Sequence, residues 1–445
     1  MTLHALSLRE AIDRMDGGRL SALDYARALL ERADTSDDEI EAWAHRDRDH
    51  VLREAARLDA LPRDRRRVLH GVPIGVKDIV HTTSMPTRMG SPAFDHFVAD
   101  DDAACVKRLH KAGAYVFGKT VTTEVAFFAP GKTRNPWNAR HTPGGSSQGS
   151  AAAVAAGHVP AAIGTQTHGS IIRPAAYCGV VGFKPTVGAI DFSGVNCFSE
   201  TFDTLGTFAR NVADASLLAA TLVDDPRLPS AVLLPARAPR LAYLPEFPWT
   251  RVGCDADDAL DAAATKLRSA GADIVPVVLP DALAQTFTVH RTIMLFEGAR
   301  NLGNLQATSR AKLSQALDSA LDEGKQITPD DYHRALASRA AMIAVAREWI
   351  GHYDAVMMPS APSGAPGGLE TTGDPSCCTL ASLIGAPAIT LPTGFDGKRM
   401  PLGMQVIASP GDDANLLAIA AWCEAWLPFA GLLSARSASD TLLYG

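Results

Sequence analysis

The 445-residue sequence lacks the features of several large functional classes. It has no basic block: 42 lysines and arginines stand against 49 aspartates and glutamates, a formal charge of −7. Nucleic acid demands a clustered basic surface, so it is not an expected partner. No run of the ~18 apolar residues that a membrane helix requires is present, and no membrane span is expected. The stretch from Met1 to Glu10 lacks the charged and apolar regions of a secretory signal. Cysteine is sparse, with seven scattered residues, an odd number, and no Cys-x-x-Cys. That excludes a fully paired disulfide framework and points to reduced thiols in a cytoplasm. No His-Glu-x-x-His or comparable spacing exists, so neither a metal nor another cofactor is expected. The remaining composition, 47% hydrophobic and 20% charged, is that of an ordinary soluble globular protein.

Residues 1–60 read as helices and form a predicted N-terminal helical arm. Ser7 to Glu10 and Ser21 to Asp24 both resemble capping boxes ahead of apolar-periodic stretches. Residues 61–445 read as a single domain. Strands are predicted over 72–80, 114–118, 161–165, 180–183, 242–244, 274–279, 355–358, 388–391 and 402–407. Helices are predicted over 102–111, 150–156, 205–222, 255–270, 379–383 and 413–426, with 287–350 predominantly helical. The strand–helix rhythm argues for an α/β sheet. Residues 224–240 carry four prolines and read as a connector, and 224–350 as a helical insertion on the substrate side.

Two Gly/Ser-rich stretches stand out, His141 to Ser150 and Gly164 to Ala175, separated by a run of small residues. They build little hydrophobic volume, so packing alone does not account for them. Glycine pairs suit sharp bends and close backbone approach. Serines gathered there are candidate nucleophiles if a base is near. Lys77 lies upstream in an apolar strand, between Val76 and Ile79. Such a lysine either reaches water or pairs with Asp78, or it is buried, neutral and able to act as a base. Gly145 to Gly149 also fits Gly-x-Ser-x-Gly, the elbow of α/β-hydrolases with Ser147 as nucleophile. That motif follows a strand, whereas Asn138 to Pro143 is turn-like. Ser147 is therefore expected to brace the loop. Cys178 has apolar neighbours and reads as an inert core thiol.

Together these stretches resemble the amidase signature family. Seven ordered blocks carry the likeness: Gly71 to Asp78, Asn135 to Asn138, Gly144 to Ser147, Gly164 to Ser170, Gly179 to Pro185, Gly385 to Pro392, and Gly403 to Gln405. The resemblance implies an α/β fold with a central mixed β-sheet flanked by helices on both faces. It implies an amidohydrolase that cleaves a carboxamide, carbamate or ureide C–N bond through an acyl-serine. Ser170 aligns with the nucleophile, Ser146 with a bridging serine whose preceding peptide bond is cis, and Lys77 with the general base. The oxyanion would lie against the N–H groups of Thr167, His168, Gly169 and Ser170. Substrate-binding positions by the same resemblance are Gly144, Gly145, Thr165, Met85, Glu124, Cys197, Phe198 and Thr371. The implied partner is a small-molecule amide, and the helical arm suits a homodimer contact. The amide-hydrolysing component of a glutamine-dependent amidotransferase (its A-type chain) is an alternative.

The sequence departs from the family pattern at four places. Gln166 stands for a usual Asp, His168 for a usual Gly, and Gln148 for another Gly. Ile172 occupies a usual Arg position, with the arginine at Arg173 instead. His168 can donate its backbone N–H to an oxyanion, line the substrate pocket, act in acid–base chemistry, or mark a damaged oxyanion hole. Gln166 and His168 thus leave a catalytically altered scaffold or binding protein as a third reading.

Overall fold

The computed structural model describes residues 2–223, 228 and 232–431. Eleven strands form one sheet: β1 (Trp43–His45), β2 (Pro73–Lys77), β3 (Tyr115–Thr120), β4 (Ala161–Gln166), β5 (Val181–Lys184), β6 (Thr204–Ala209), β7 (Arg240–Tyr243), β8 (Asp273–Pro276), β9 (Ala355–Pro359), β10 (Ala388–Phe395) and β11 (Pro401–Ile407). Their order is β1-β3-β2-β4-β6-β5-β10-β11-β9-β7-β8. The pairs β2/β3, β2/β4, β7/β8 and β7/β9 are parallel and the others antiparallel, so the sheet is mixed, as expected. Strands β2 to β6 are buried along their whole length, because helices cover both faces. In part of the predicted connector, 224–227 and 229–231, the chain lies outside the described residues.

Two element assignments differ from expectation. Residues 1–60 include a strand, β1, which pairs antiparallel with β3 at the sheet edge. Three residues are too few for a period-two signal to emerge. The span predicted as one helix over 205–222 is strand β6 followed by the helix Val212–Leu222. Thr204 to Ala209 is rich in β-branched and aromatic residues and pairs with β4 along its full length. The side chain of Asn211 accepts from Asp214 N and starts the helix there.

Side chains from distant parts of the chain fasten the first helices. Ser7 forms the expected capping box with Glu10, and Asp214 adds bonds from Leu8 N (2.7 Å) and Arg9 N (3.1 Å). Ser21 caps in one direction only, accepting from Asp24 N. Asp59 accepts from Ala22 N and Leu23 N at the start of that second helix. These carboxylates meet N–H groups that have no partner within their own helix.

The helix Gln148–Ala155 has every residue buried. Its small side chains let it sit close to the sheet. At Gly149 an added Cβ would lie 2.1 Å from Ala42 O and 2.4 Å from Val121 N. No helix among the described residues is long and apolar enough to cross a membrane.

Candidate active site

The parallel strands β2 and β4, inside the sheet, bring Lys77 and Thr165 together at their C-terminal ends; Val76 is in register with Ile163. The loop before the helix Gln148–Ala155 supplies Ser146, and the loop after β4 supplies Thr167 to Ser170. Lys77 Nζ lies 2.7 Å from Ser146 Oγ and 2.7 Å from Thr165 Oγ1, with Thr165 O at 3.5 Å. Lys77 is fully buried. Burial pulls its pKa down to about 7, against an opposing pull from the Asp203 carboxylate. Lys77 does not pair with Asp78, which lies instead against Lys119, 3.3 Å away. A neutral amine has two N–H groups and one lone pair. The two N–H groups match the two Thr165 oxygens, which leaves the lone pair for the Ser146 hydroxyl.

The Gly145–Ser146 peptide is cis. Gly145 O accepts from Arg173 Nη2 at 2.8 Å, and the same guanidinium reaches Thr372 Oγ1 and Gly373 O. Burial lowers the Arg173 pKa. Ser147 Oγ donates to Thr165 O (3.1 Å) and accepts from Thr165 N (3.3 Å), so Ser147 braces the strand end behind Lys77, as expected.

Gln166 ties the second loop together. Its Oε1 accepts from Ile171 N and Ile172 N, and its Nε2 donates to Ser382 Oγ. Ser382 Oγ in turn donates to His168 O (2.6 Å), and His290 Nε2 donates to Thr167 O (3.1 Å). In a trans peptide the N–H points opposite to the C=O. Holding those two carbonyls therefore turns the N–H groups of His168 and Gly169 the other way. Asp203 accepts from Thr167 Oγ1, Phe198 N and Ser199 N; burial pushes its carboxyl up to about 6.

Ser146, Thr167, His168, Gly169, Ser170 and Phe198 all line one cavity of about 330 Å³, mouth included. Its remaining wall comes from Ala126, Phe127, Phe128, Arg173, Met294 and Pro375. Phe127 stacks on Phe198 at 5.0 Å. A larger cavity of about 1500 Å³, open to solvent, lies between Thr2 and the helix Asp413–Trp426. Its thiol, Cys178, is held protonated by burial, and among the described residues its lining carries no serine or lysine.

Several predicted substrate-binding residues are placed elsewhere. Glu124 spends its carboxylate inside the fold, accepting from Ser91 Oγ and Ser314 N. Met85 is buried away from this wall, and its carbonyl accepts from Thr82 Oγ1. Thr371 is exposed and accepts from Gly373 N; its neighbour Thr372 is the residue turned toward Arg173. Cys197 is not among the lining residues, and burial and the Asp203 carboxylate raise its pKa. Gly144 and Gly145 shape the loop rather than the wall: an added Cβ would lie 2.8 Å from Pro174 Cα and 2.7 Å from Thr372 Cγ2, respectively. Sequence reasoning missed Phe127, Phe128, Met294 and His290. Adjacent phenylalanines in a Pro/Gly-rich loop were a usable signal for the first two; a histidine within a long helix offers none.

The family model described as Amidase matches residues 24–417. A curated relative, one of the subunits of the glutamyl-tRNA(Gln) amidotransferase of Lysinibacillus sphaericus (strain C3-41), is 31% identical over 94% of this chain and 96% of its own length. A solved amidase is 31% identical, with a TM-score of 0.87 over 95% of this chain and all of its own. The native peptide amidase of Stenotrophomonas maltophilia is 30% identical, with a TM-score of 0.79 over 95% of this chain and 97% of its own. Matched along nearly its whole length in sequence and in fold, this chain belongs to the amidase signature family.

Proposed function

We propose that this protein hydrolyses the C–N bond of a small carboxamide through an acyl-serine intermediate. The observation that carries the reading is the buried contact of 2.7 Å between Lys77 Nζ and Ser146 Oγ, with Ser146 and Ser170 on the wall of one cavity. Ser170 Oγ attacks the carbonyl carbon. Its proton passes to Ser146 Oγ as the Ser146 proton passes to neutral Lys77. The negative oxygen of the tetrahedral intermediate is held by N–H groups of the loop from Thr167 to Ser170. Collapse expels the amine, which takes the proton back along the same path. Water then repeats the sequence on the acyl-serine and releases the acid. Carbamates and ureides present the same carbonyl and fall within the same chemistry.

The narrow cavity favours a small acyl group. Met294, from the segment 224–350, belongs to its wall, which supports that segment as the substrate side. The seven cysteines are all free, which supports a reducing, cytoplasmic setting. Self-association through the helical arm belongs to the same reading and is checked by light scattering.

The test is Ser170→Ala against a panel of amides, carbamates and ureides. Turnover is expected to vanish while the thermal transition stays in place. Retained hydrolysis removes Ser170 from its role. A second reading is favoured by the curated relatives, which are named as subunits of a glutamyl-tRNA(Gln) amidotransferase. In that case the amide is glutamine and the ammonia goes to a partner protein. Glutaminase activity that appears only on adding partner subunits would select it; amide turnover by the isolated chain selects the first reading.

A further inference from the structure

The helix Thr286–Ser309 turns one ridge toward the cavity. His290, Met294 and Gly298 are each one helical step of i to i+4 apart and share a face. His290 holds Thr167 O, and Met294 belongs to the cavity wall. Gly298 has no side chain, and the tip of Phe198 takes the vacant place. An added Cβ there would lie 2.5 Å from Phe198 Cζ and 2.6 Å from Cε1. The Phe198 backbone is fixed on both sides: its N–H donates to Asp203 Oδ2 at 2.7 Å, and its carbonyl accepts from Asn301 Nδ2 at 3.2 Å. Phe198 stacks on Phe127 at 5.0 Å, and Phe128 meets Phe127 edge to face at 4.9 Å. The three touching phenylalanines all belong to the cavity lining.

Apart from the two loops bearing the serines and Arg173, the described wall consists of Ala126, Phe127, Phe128, Phe198, Met294 and Pro375. None of these six side chains has a hydrogen to donate, and the weak thioether of Met294 is their only acceptor. The described lining holds no carboxylate. Arg173 directs both Nη groups at protein oxygens, Gly373 O, Gly145 O and Thr372 Oγ1. A hydroxyl or a charge placed against the six would lose its water without gaining a partner, whereas hydrocarbon gains by leaving water. In a primary amide the leaving group is ammonia, so the group that needs room is the acyl group.

We propose that this wall is a hydrocarbon acyl subsite whose depth is set by Gly298 through the seat it gives Phe198. The preferred substrates are then primary carboxamides with a compact apolar acyl group, such as isobutyramide, rather than hydroxy or carboxylate amides. This inference rests on the reading of Ser170 as the nucleophile of an amide hydrolase.

Binding is measured by NMR titration in a Ser170→Ala background. Isobutyramide and lactamide differ only by a methyl group against a hydroxyl, and the parent is expected to bind isobutyramide roughly 10-fold more tightly. Succinamate, which carries a carboxylate, is expected to bind more weakly than isobutyramide. Gly298→Ala unseats Phe198 and is expected to lower the affinity ratio of isobutyramide to acetamide roughly 5- to 10-fold. Phe198→Leu, which leaves Gly298 as it is, is expected to raise the ratio of phenylacetamide to isobutyramide by a similar factor. Lactamide bound as tightly as isobutyramide, or succinamate bound more tightly, overturns the hydrocarbon subsite; the second result would make Arg173 the reader of an anionic substrate. Ratios unmoved in both variants overturn the role of Gly298 and Phe198. Turnover by the enzyme with Ser170 intact is read separately. The expected binding preference with no turnover sinks the hydrolase reading alone, and turnover without the preference sinks the subsite alone.

Discussion

Lys77 and Thr165 meet twice: the amine is 2.7 Å from the threonine hydroxyl and 3.5 Å from its carbonyl oxygen. Those two acceptors take up the hydrogens of a neutral amine and leave its lone pair for Ser146. The same threonine is held from behind by Ser147. The amine is thus oriented by one strand end and faces a hydroxyl on a separate loop.

The first expectation concerns pH. A base must be neutral to act, and burial brings Lys77 down to about 7. The rate constant kcat/KM should therefore fall as pH drops through about 7. The Asp203 carboxylate raises the Lys77 pKa, so Asp203→Asn should move this acid limb to lower pH. An upward movement would contradict the assignment. Stability follows the same sign. Unfolded lysine titrates near ~10.4, so between about 7 and ~10 the unfolded chain binds more protons, and Lys77 makes stability rise with pH across that window.

Thr165→Val keeps the shape of the strand end and deletes one oxygen facing Lys77. One hydrogen bond of roughly 1 kcal/mol is lost, and the amine can rotate away from Ser146. A fall in kcat of about tenfold with little change in KM is expected from steady-state kinetics. A change confined to KM would show that the hydroxyl serves substrate binding instead.

The two glycine- and serine-rich loops were legible in the sequence because their composition is a local signal. Glycines, serines and one apolar-flanked lysine recur at spacings that packing does not require. The strand order was not legible: β10 inserts between β5 and β11, more than 200 residues from its first neighbour, and no local pattern encodes that. The site's supports were hidden for the same reason. Gln166 looked like a lost charge, yet it caps the turn into the helix Ile172–Cys178 with one oxygen and holds Ser382 with its nitrogen. His290 comes from a helix more than 100 residues beyond the loop it fastens. Glu124 and Thr371 were assigned to the pocket by position, but their own hydrogen bonds commit them to the fold.

Gly149→Ala tests the close approach of the small-residue helix to the sheet. The new methyl would meet Ala42 O at 2.1 Å and Val121 N at 2.4 Å, both backbone atoms that cannot swing aside. Overpacking typically costs about 1–3 kcal/mol, and contacts this short belong at or above the upper end. Denaturant titration should show a drop of about 3 kcal/mol or failure to fold. A variant as stable as the parent would mean that the helix stands further from β1 than described.

Arg173 is the last case, because its charge and its shape can be separated. The guanidinium is buried and reaches three acceptors, Gly145 O, Thr372 Oγ1 and Gly373 O. It therefore joins the loop bearing Ser146 to the segment around Thr372. A planar fork can serve acceptors that lie apart; a lysine ammonium is a compact charge on a flexible stem and cannot span them. Arg173→Lys preserves the charge and should still lower kcat by about tenfold or more, with a melting temperature several degrees lower, since at least one buried acceptor loses its donor at roughly 1–3 kcal/mol. The acid limb near pH 7 should survive, because burial and Asp203, not Arg173, set the Lys77 pKa. If Arg173→Lys were fully active, charge alone would account for the residue, and the bridge between the two loops would carry no weight in positioning Ser146.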